Sequence, residues 1–156
     1  MTMILTLILR DARREDVPAL VRMLADDDLG RSRDRFEEPL PAAYYDAYDE
    51  IAADPNNRLL VAEIDGEIVG TMQLSFLRML SRKGSMRAEV EAVRVASRLR
   101  GKGLGRQMMA QAIEMARARG CVMMQLASNK SRTAAHRFYE QLGFVASHVG
   151  MKLALH

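Results

Sequence analysis

Two largely apolar runs, Arg58 to Ile64 and Glu67 to Phe76, are separated only by Asp65-Gly66. Asp-Gly between runs of that kind signals a two-residue β-hairpin, because both turn positions need a positive φ. The two strands are therefore expected to be antiparallel neighbours, and a doubly wound, wholly parallel sheet fits poorly. A further polar, glycine-containing turn at Ser81 to Ser85 leads into Met86 to Val95, the next strand of a meander. Strict alternation along that strand would put Glu89, Glu91, Val93 and Val95 on one face.

Around the meander the period changes repeatedly. Ile4 to Leu9 reads as a first strand, and acids between Asp11 and Asp16 suit the start of a helix over about 14–25. Residues 26–41, with Gly30, Pro39 and Pro41, break both periods and read as a loop or mobile connection. A second helix is expected over Ala42 to Ala53, stopped by Asp54-Pro55-Asn56-Asn57. After the glycine-rich stretch 100–105, Leu104, Met108, Ala112 and Met115 trace the buried stripe of a third helix. Val122 to Leu126 reads as a strand covered on both faces, and 131–142 as a last helix ending at Gly143. Residues 144–155 are expected to supply one or two closing strands. The fold class is α/β (α+β): a mixed, mostly antiparallel central sheet flanked by helices.

A chain of 156 residues suits a single domain, 1–156, and 49% hydrophobic residues can fill its core. The single cysteine, Cys121, excludes an internal disulfide framework and any zinc site built on two or more thiols. It suits a reducing, cytoplasmic location, with Cys121 as a structural thiol. The twelve methionines read as core filling, and no metal site is expected. Met1 to Leu9 lacks a basic n-region and a small-residue cleavage site, so it reads as strand in place of signal peptide. No run approaches the roughly 20 apolar residues that cross a bilayer, so no membrane partner is expected. Charge is distributed unevenly: residues 26–54 hold ten acids and three bases, whereas 55–156 hold sixteen Lys/Arg and seven Asp/Glu. The basic portion suits a polyanion. Nucleic acid is rated low, because four Tyr, four Phe and no Trp offer few stacking surfaces.

Arg100-Gly101-Lys102-Gly103-Leu104-Gly105-Arg106 stands between a strand and an amphipathic helix. Glycines let backbone N–H groups approach a phosphate, and a helix N-terminus favours an anion. A tight strand-to-helix turn is the plainer reading, but three glycines among Arg and Lys favour a phosphate cradle. The Walker A template fails, with Ala96 at its first glycine and Gly103 after Lys102. The dinucleotide template also fails, with Arg106 at its third glycine and Gln125 where an acid belongs.

Arg100, Gly103 and Gly105 do meet the acyl-CoA signature Arg/Gln-x-x-Gly-x-Gly/Ala, and Phe138-Tyr139-Glu140-Gln141-Leu142-Gly143-Phe144 is similar to an FYE-x-LGF ending. With these motifs, the element order and the strand 89–95, the chain resembles the GNAT superfamily of N-acyltransferases over nearly its whole length. That resemblance implies acetyl-CoA as cosubstrate and a GNAT-like acyl-CoA N-acyltransferase fold. It implies that the backbone of Val93 and Val95 pairs with the pantetheine arm and that the N–H groups from Gly101 to Arg106 hold the pyrophosphate. Arg98, Arg100, Lys102 and Arg106 would add positive charge. Relatives often carry Asn seven or eight residues before the tyrosine. Arg132 and Ser131 stand there, with Asn129 slightly earlier, so any of the three is a candidate CoA contact, and Ser131 a candidate helix cap.

Acyl transfer from a thioester to an amine needs a neutral amine, oxyanion stabilisation and a proton for the thiolate. Tyr139 occupies the family's usual general-acid position, its alternative role being core filling beside Phe138. Glu91 is the first candidate base and Glu89 the second; either can instead bind a cationic acceptor or lie on a solvated face. The Val93 N–H is the oxyanion donor that the resemblance implies. His136, one turn before Tyr139, reads as a helix-surface residue. The acids of 24–48 with Tyr44, Tyr45 and Tyr48 suit a small-molecule amine with an apolar body; a peptide or protein amine and a catalytically silent CoA-binding module are the alternatives. The family also implies a homodimer, with the last strands paired across subunits.

Overall fold

The computed structural model describes residues 6–156, so Ile4 and Leu5 of the expected first strand lie outside it. In chain order the elements are β1 (Ile8–Asp11), α1 (Val17–Ala25), α2 (Ala42–Ala53), β2 (Asn57–Ile64), β3 (Glu67–Arg78), β4 (Met86–Val95), α3 (Leu104–Ala118), β5 (Met123–Leu126) and α4 (Thr133–Gln141). The strands form one sheet in the order β1-β2-β3-β4-β5. The hairpin is present: Ile64 pairs with Glu67 across Asp65 and Gly66, whose φ values are 51° and 79°. The first three pairings are antiparallel and the last, β4 with β5, is parallel. This is the mixed, mostly antiparallel α/β arrangement expected from the sequence.

One face of the sheet packs on α3. Leu60, Met72, Leu74, Ala88 and Val90 meet Leu104, Met108, Met109 and Ala112, all essentially inaccessible to water. Gly70 is required there, since a Cβ would come within 2.7 Å of Met108 Sδ and 2.9 Å of the Arg94 carbonyl oxygen. The other face carries α1, which buries Val17, Leu20 and Val21, and α2, which buries no residue. Polar contacts hold that outer layer: Tyr48 Oη donates to the Ala12 carbonyl, Arg14 pairs with Asp49, and Arg14 also lies 4.6 Å over the Tyr45 ring.

Three expectations need correction. Alternation along β4 fails at Ala92, whose φ is 52°. Gln73 pairs with Glu91 and Thr71 with Arg94, so Ala92 and Val93 together face Met72 in a β-bulge. The phase therefore reverses. Glu89, Glu91 and Arg94 share the face toward α1 and α2, while Ala88, Val90, Val93 and Val95 face α3. Second, no strand follows β5 among the described residues; residues 144–156 run as coil, and Val145, Val149, Met151, Leu153 and Leu155 are exposed. A strand needs a partner edge, and this segment finds none within one copy of the chain. Third, β5 is consequently an edge strand with Val122 and Gln125 exposed, not a strand covered on both faces.

Truncating the buried sulfur side chain at the centre of the α3 face tests this core. Met108→Ala is expected to lose about 2–5 kcal/mol, read as a lower urea midpoint at unchanged slope.

Candidate functional site

β4 and β5 run together for four residue pairs, Arg87–Met123 to Val90–Leu126, and then part. β3 continues to pair with β4 as far as Val95. The β5-facing backbone of Glu91 to Val95 is thus left without a strand partner among the described residues, directly before the glycine loop. Unpaired strand backbone of this kind is a template for an extended ligand chain.

The loop delivers the chain into α3. Gly101 and Gly103 both have φ of 79°, and Gly103 is the N-cap residue of the helix. The Arg100 N–H still bonds to the Ser97 carbonyl and the Gln107 N–H bonds to the Gly103 carbonyl. Between them, the amides from Gly101 to Arg106 have no backbone acceptor among the described residues, as expected for a helix start. The space around Gly101 and Gly103 is open, whereas Gly105 sits against Phe138 of α4, 3.4 Å from an added Cβ, and Val95 of β4. That close approach fixes α4 against the start of α3, and Tyr139 is the next residue of α4.

Tyr139 is half-buried, edge-on to Phe138 at 5.2 Å and to Phe144 at 5.8 Å. Burial pushes its phenol above the ordinary value, opposed by the positive charges of Arg94 and Arg132. The hydroxyl is therefore protonated at neutral pH, with two guanidiniums nearby to stabilise the phenolate that proton loss would leave.

Those arginines meet at Asp27, in the loop after α1. Asp27 Oδ1 accepts from Arg132 Nη1 at 3.1 Å; Oδ2 accepts from Arg132 Nη2 at 2.6 Å, the Gly30 N–H at 3.1 Å and Arg94 Nη2 at 3.4 Å. The hydrogen bonds from Arg132 hold the Asp27 carboxyl below its usual range against the opposing effect of burial. Burial pushes the Arg94 guanidinium down, with Asp27 opposing and Arg132 and Arg33 adding to the depression. Arg94 Nη1 donates to the Val93 carbonyl at 2.9 Å, while Nε is buried without a partner.

Beside this cluster an apolar cavity of about 170 Å³ lies between the sheet and the α1–α2 layer, lined among others by Leu24, Tyr44, Tyr48, Gln73 and Ala92. Glu91, exposed, and Glu89, half-buried, belong to the strand face on the cavity side. The sequence-expected residues thus divide. Val93, Val95 and Tyr139 pack against the core on the α3 side, with the glycine loop following Val95, and Glu91 and Glu89 lie on the other side of β4.

Several expectations change in detail. Arg98 is engaged with Glu67, and Arg100 reaches the Asp26 carbonyl at 3.4 Å; Lys102 and Arg106 are exposed. Ser131 does not cap the last helix. Its N–H and Oγ donate to Asn129 Oδ1 at 2.9 and 2.8 Å, and the N-cap residue is Arg132, without a side-chain cap bond. Asn129 also engages His136 Nε2 through its carbonyl at 2.9 Å. Sequence reasoning missed Asp27 and Arg94, because the ion cluster joins positions 67 and 105 residues apart and no local period records it. Among the described residues no group of three or more His, Cys, Asp or Glu side chains could hold a metal ion, and no helix is long and apolar enough to cross a membrane.

Comparison with known proteins agrees with this geometry. The sequence profile of the acetyltransferase (GNAT) family matches residues 19–144. The aminoalkylphosphonate N-acetyltransferase of Salmonella typhimurium is 33% identical over 113 residues, 72% of this chain and 73% of that one. An L-methionine sulfoximine/L-methionine sulfone acetyltransferase of Pseudomonas aeruginosa is 31% identical over 142 residues, 89% and 80% of the two chains. A crystal structure from Bacillus halodurans C-125, described as a transcriptional regulator, is 49% identical, covers 96% of this chain and all of its own, and superposes with a TM-score of 0.93.

The Asp27 cluster has a defined pH signature. Because the folded-state carboxyl titrates below its unfolded value of about 4, its stabilisation is complete above that pH and is lost as pH falls through the folded value. Asp27→Asn is expected to cost about 1.5–3 kcal/mol at pH 7, with the difference from the unsubstituted protein narrowing below pH 4 in urea titrations.

Proposed function

The chain belongs to the acetyltransferase (GNAT) family, and we propose that it transfers the acetyl group of acetyl-CoA directly to the primary amine of a small molecule. It is an acetyl-transferring enzyme and an N-acetyltransferase. The observation that carries the finer reading is the gap between β4 and β5, with its unpaired backbone ending at a glycine loop of open amides. An extended pantetheine chain fits such an edge, and a pyrophosphate fits the N–H groups from Gly101 to Arg106. Val93 and Val95 are the backbone contacts of this reading. Arg100, Lys102, Gly103, Gly105 and Arg106 surround the phosphates, and Ser131 with Asn129 borders the cosubstrate.

Glu91 takes the proton of the attacking amine, directly or through water, and Glu89 is the alternative. The bulge supports either one, since both carboxylates lie on the cavity side of β4. A bulge also leaves backbone groups outside the ladder, which supports the Val93 N–H as donor to the carbonyl oxygen of the thioester. The amine nitrogen forms its bond to the carbonyl carbon, the carbon–sulfur bond breaks, and Tyr139 gives its proton to the departing thiolate. Arg94 and Arg132 favour that transfer by stabilising the phenolate.

The apolar cavity supports an acceptor with a small apolar body, and two relatives are named for small amines, an aminoalkylphosphonate and a methionine derivative. The role of the Bacillus halodurans protein is stated for that protein. In this chain, part of the basic C-terminal charge falls at the phosphate cradle, which supports acyl transfer over nucleic-acid binding. Residues 1–156 act as one domain in this reading, and the one free thiol, Cys121, supports a cytoplasmic setting. A second copy of the chain is the proposed partner of the C-terminal segment. Val149, Met151, Leu153 and Leu155 alternate as in a strand, and each is exposed beside a sheet that ends at β5.

Thiol release from acetyl-CoA with a panel of small amines is expected to show turnover. Tyr139→Phe should lower kcat by about 10²- to 10⁴-fold while calorimetric acetyl-CoA affinity holds within about threefold. Gly103→Asp, which puts a negative charge into the phosphate cradle, should abolish acetyl-CoA binding. Light scattering should give a dimer for the full chain and a monomer for a chain ending at Ser147; a monomeric full chain would rule out the paired C-terminal segment.

A further inference from the structure

Asp27 is shared by two guanidiniums, and its roughly four lone-pair sites are filled by Arg132, Gly30 and Arg94. Its two oxygens already receive Arg132 twice and the Gly30 N–H. A carboxylate offers about four lone-pair sites, so Arg94 takes what is left, at 3.4 Å. Arg94 is the most enclosed of the arginines there, its side chain 15% exposed, and its Nε–H is buried with no acceptor. Arg132 and Arg33 add further positive charge around it, and among the described residues Asp27 is the one carboxylate in ion-pair contact with Arg94 and Arg132. Arg94 Nη1 is held by the Val93 carbonyl, and the unpartnered Nε–H, a cost of roughly 1–3 kcal/mol, is the group that an acceptor on a ligand would satisfy.

The location identifies which ligand. Arg94 follows the cavity-lining Ala92 on the strand face toward α1, and Asp27 follows the cavity-lining Leu24 by three residues. Tyr139 is close enough to sense the charges of both Arg94 and Arg132. The glycine loop lies beyond Val95 at the start of α3, whose core contacts are on the opposite face of the sheet, and among the described residues only its Arg100 reaches back, to the Asp26 carbonyl at 3.4 Å. The place of Arg94 on the cavity face of β4 assigns an anion there to the acceptor.

We propose that Arg94 and Arg132, oriented by Asp27, bind an anionic group (phosphonate, phosphate or carboxylate) carried by the amine that is acetylated. This rests on the acetyl-transfer reading above and sharpens it to a substrate class: short amines bearing an acidic group a few atoms from the nitrogen. Guanidiniums suit such groups because their planar donors match two oxygens at once. A cavity of about 170 Å³ limits the rest of the molecule, being roughly the space of six waters.

The test compares matched acceptors in the thiol-release assay: 2-aminoethylphosphonate and β-alanine against propylamine and ethanolamine. The expected result is a kcat/KM about tenfold or more higher for the anionic amines, the size of one charge-assisted contact. In Arg94→Gln that ratio should fall toward one, while the KM for acetyl-CoA stays within about threefold. Methylphosphonate, measured on the unsubstituted protein and so independent of any folding defect, should inhibit propylamine acetylation competitively with the amine. Inhibition competitive with acetyl-CoA, or equal kcat/KM for neutral and anionic amines, overturns the inference and leaves acetyl transfer standing. Tight acetyl-CoA binding with no turnover of any amine overturns the acetyl-transfer reading, and this inference with it.

Discussion

The parting of β4 from β5 after four residue pairs is the constraint on which the rest of the site depends. Parallel strands that stayed in register would satisfy each other's backbone and leave nowhere for an extended ligand to lie. Because they part, the Glu91 to Val95 edge keeps unpaired groups in a half-buried place, a cost that an incoming chain can relieve. Everything nearby is arranged about that opening. α3 starts at its end with open amides, and α4 is drawn against Gly105 through Phe138. The 26–34 loop reaches over from α1 to hold β4 and α4 at a set distance through Asp27.

That last contact matters because the layer it anchors has little else. α2 buries no side chain, and the loop before it contains only a short 3-10 turn at Gly30–Ser32. Elements with few buried apolar contacts open at low free energy. The α1–α2 side of the sheet is thus better able to adjust than the α3 side, which is filled by Met72, Met108 and Met109 and close-packed. One face of the sheet is close-packed and the other is held by charge. Such a division suits an enzyme family that keeps one donor and varies its amine.

Much of this was legible in the chain. Asp65-Gly66 specified the hairpin, the glycine loop specified the start of α3, and the helix over Ala42–Ala53 fell where its flanking prolines and Asp54-Pro55 put it. The glycine-rich motif also coincides with amides that have no backbone acceptor among the described residues. The Asp27 cluster was not legible, because its members are distant in sequence and each alone reads as a solvated charge. The C-terminal strands were over-read for the opposite reason. Alternation from Val149 to Leu155 is real, but a strand pattern states only that a partner is needed, not that the same chain supplies it.

The bulge at Ala92 was legible in principle. In a regular strand the apolar positions Ala88 and Val90 would continue to Ala92 and then to Arg94, driving a guanidinium toward Met108 and the α3 core. Burying an unpaired charge there would cost more than the strand's pairing returns. Val93 and Val95 instead resume the apolar face after a gap of three, so the sequence changes phase between 90 and 93. A one-residue bulge is the local solution, and the positive φ of Ala92, worth of order 1–3 kcal/mol of strain, is the backbone expression of it. The same reversal that keeps Arg94 out of the core turns it, with Glu91, toward the cavity beneath α1 and α2. Charge exclusion from one face of the sheet and charge placement on the other are therefore one structural event.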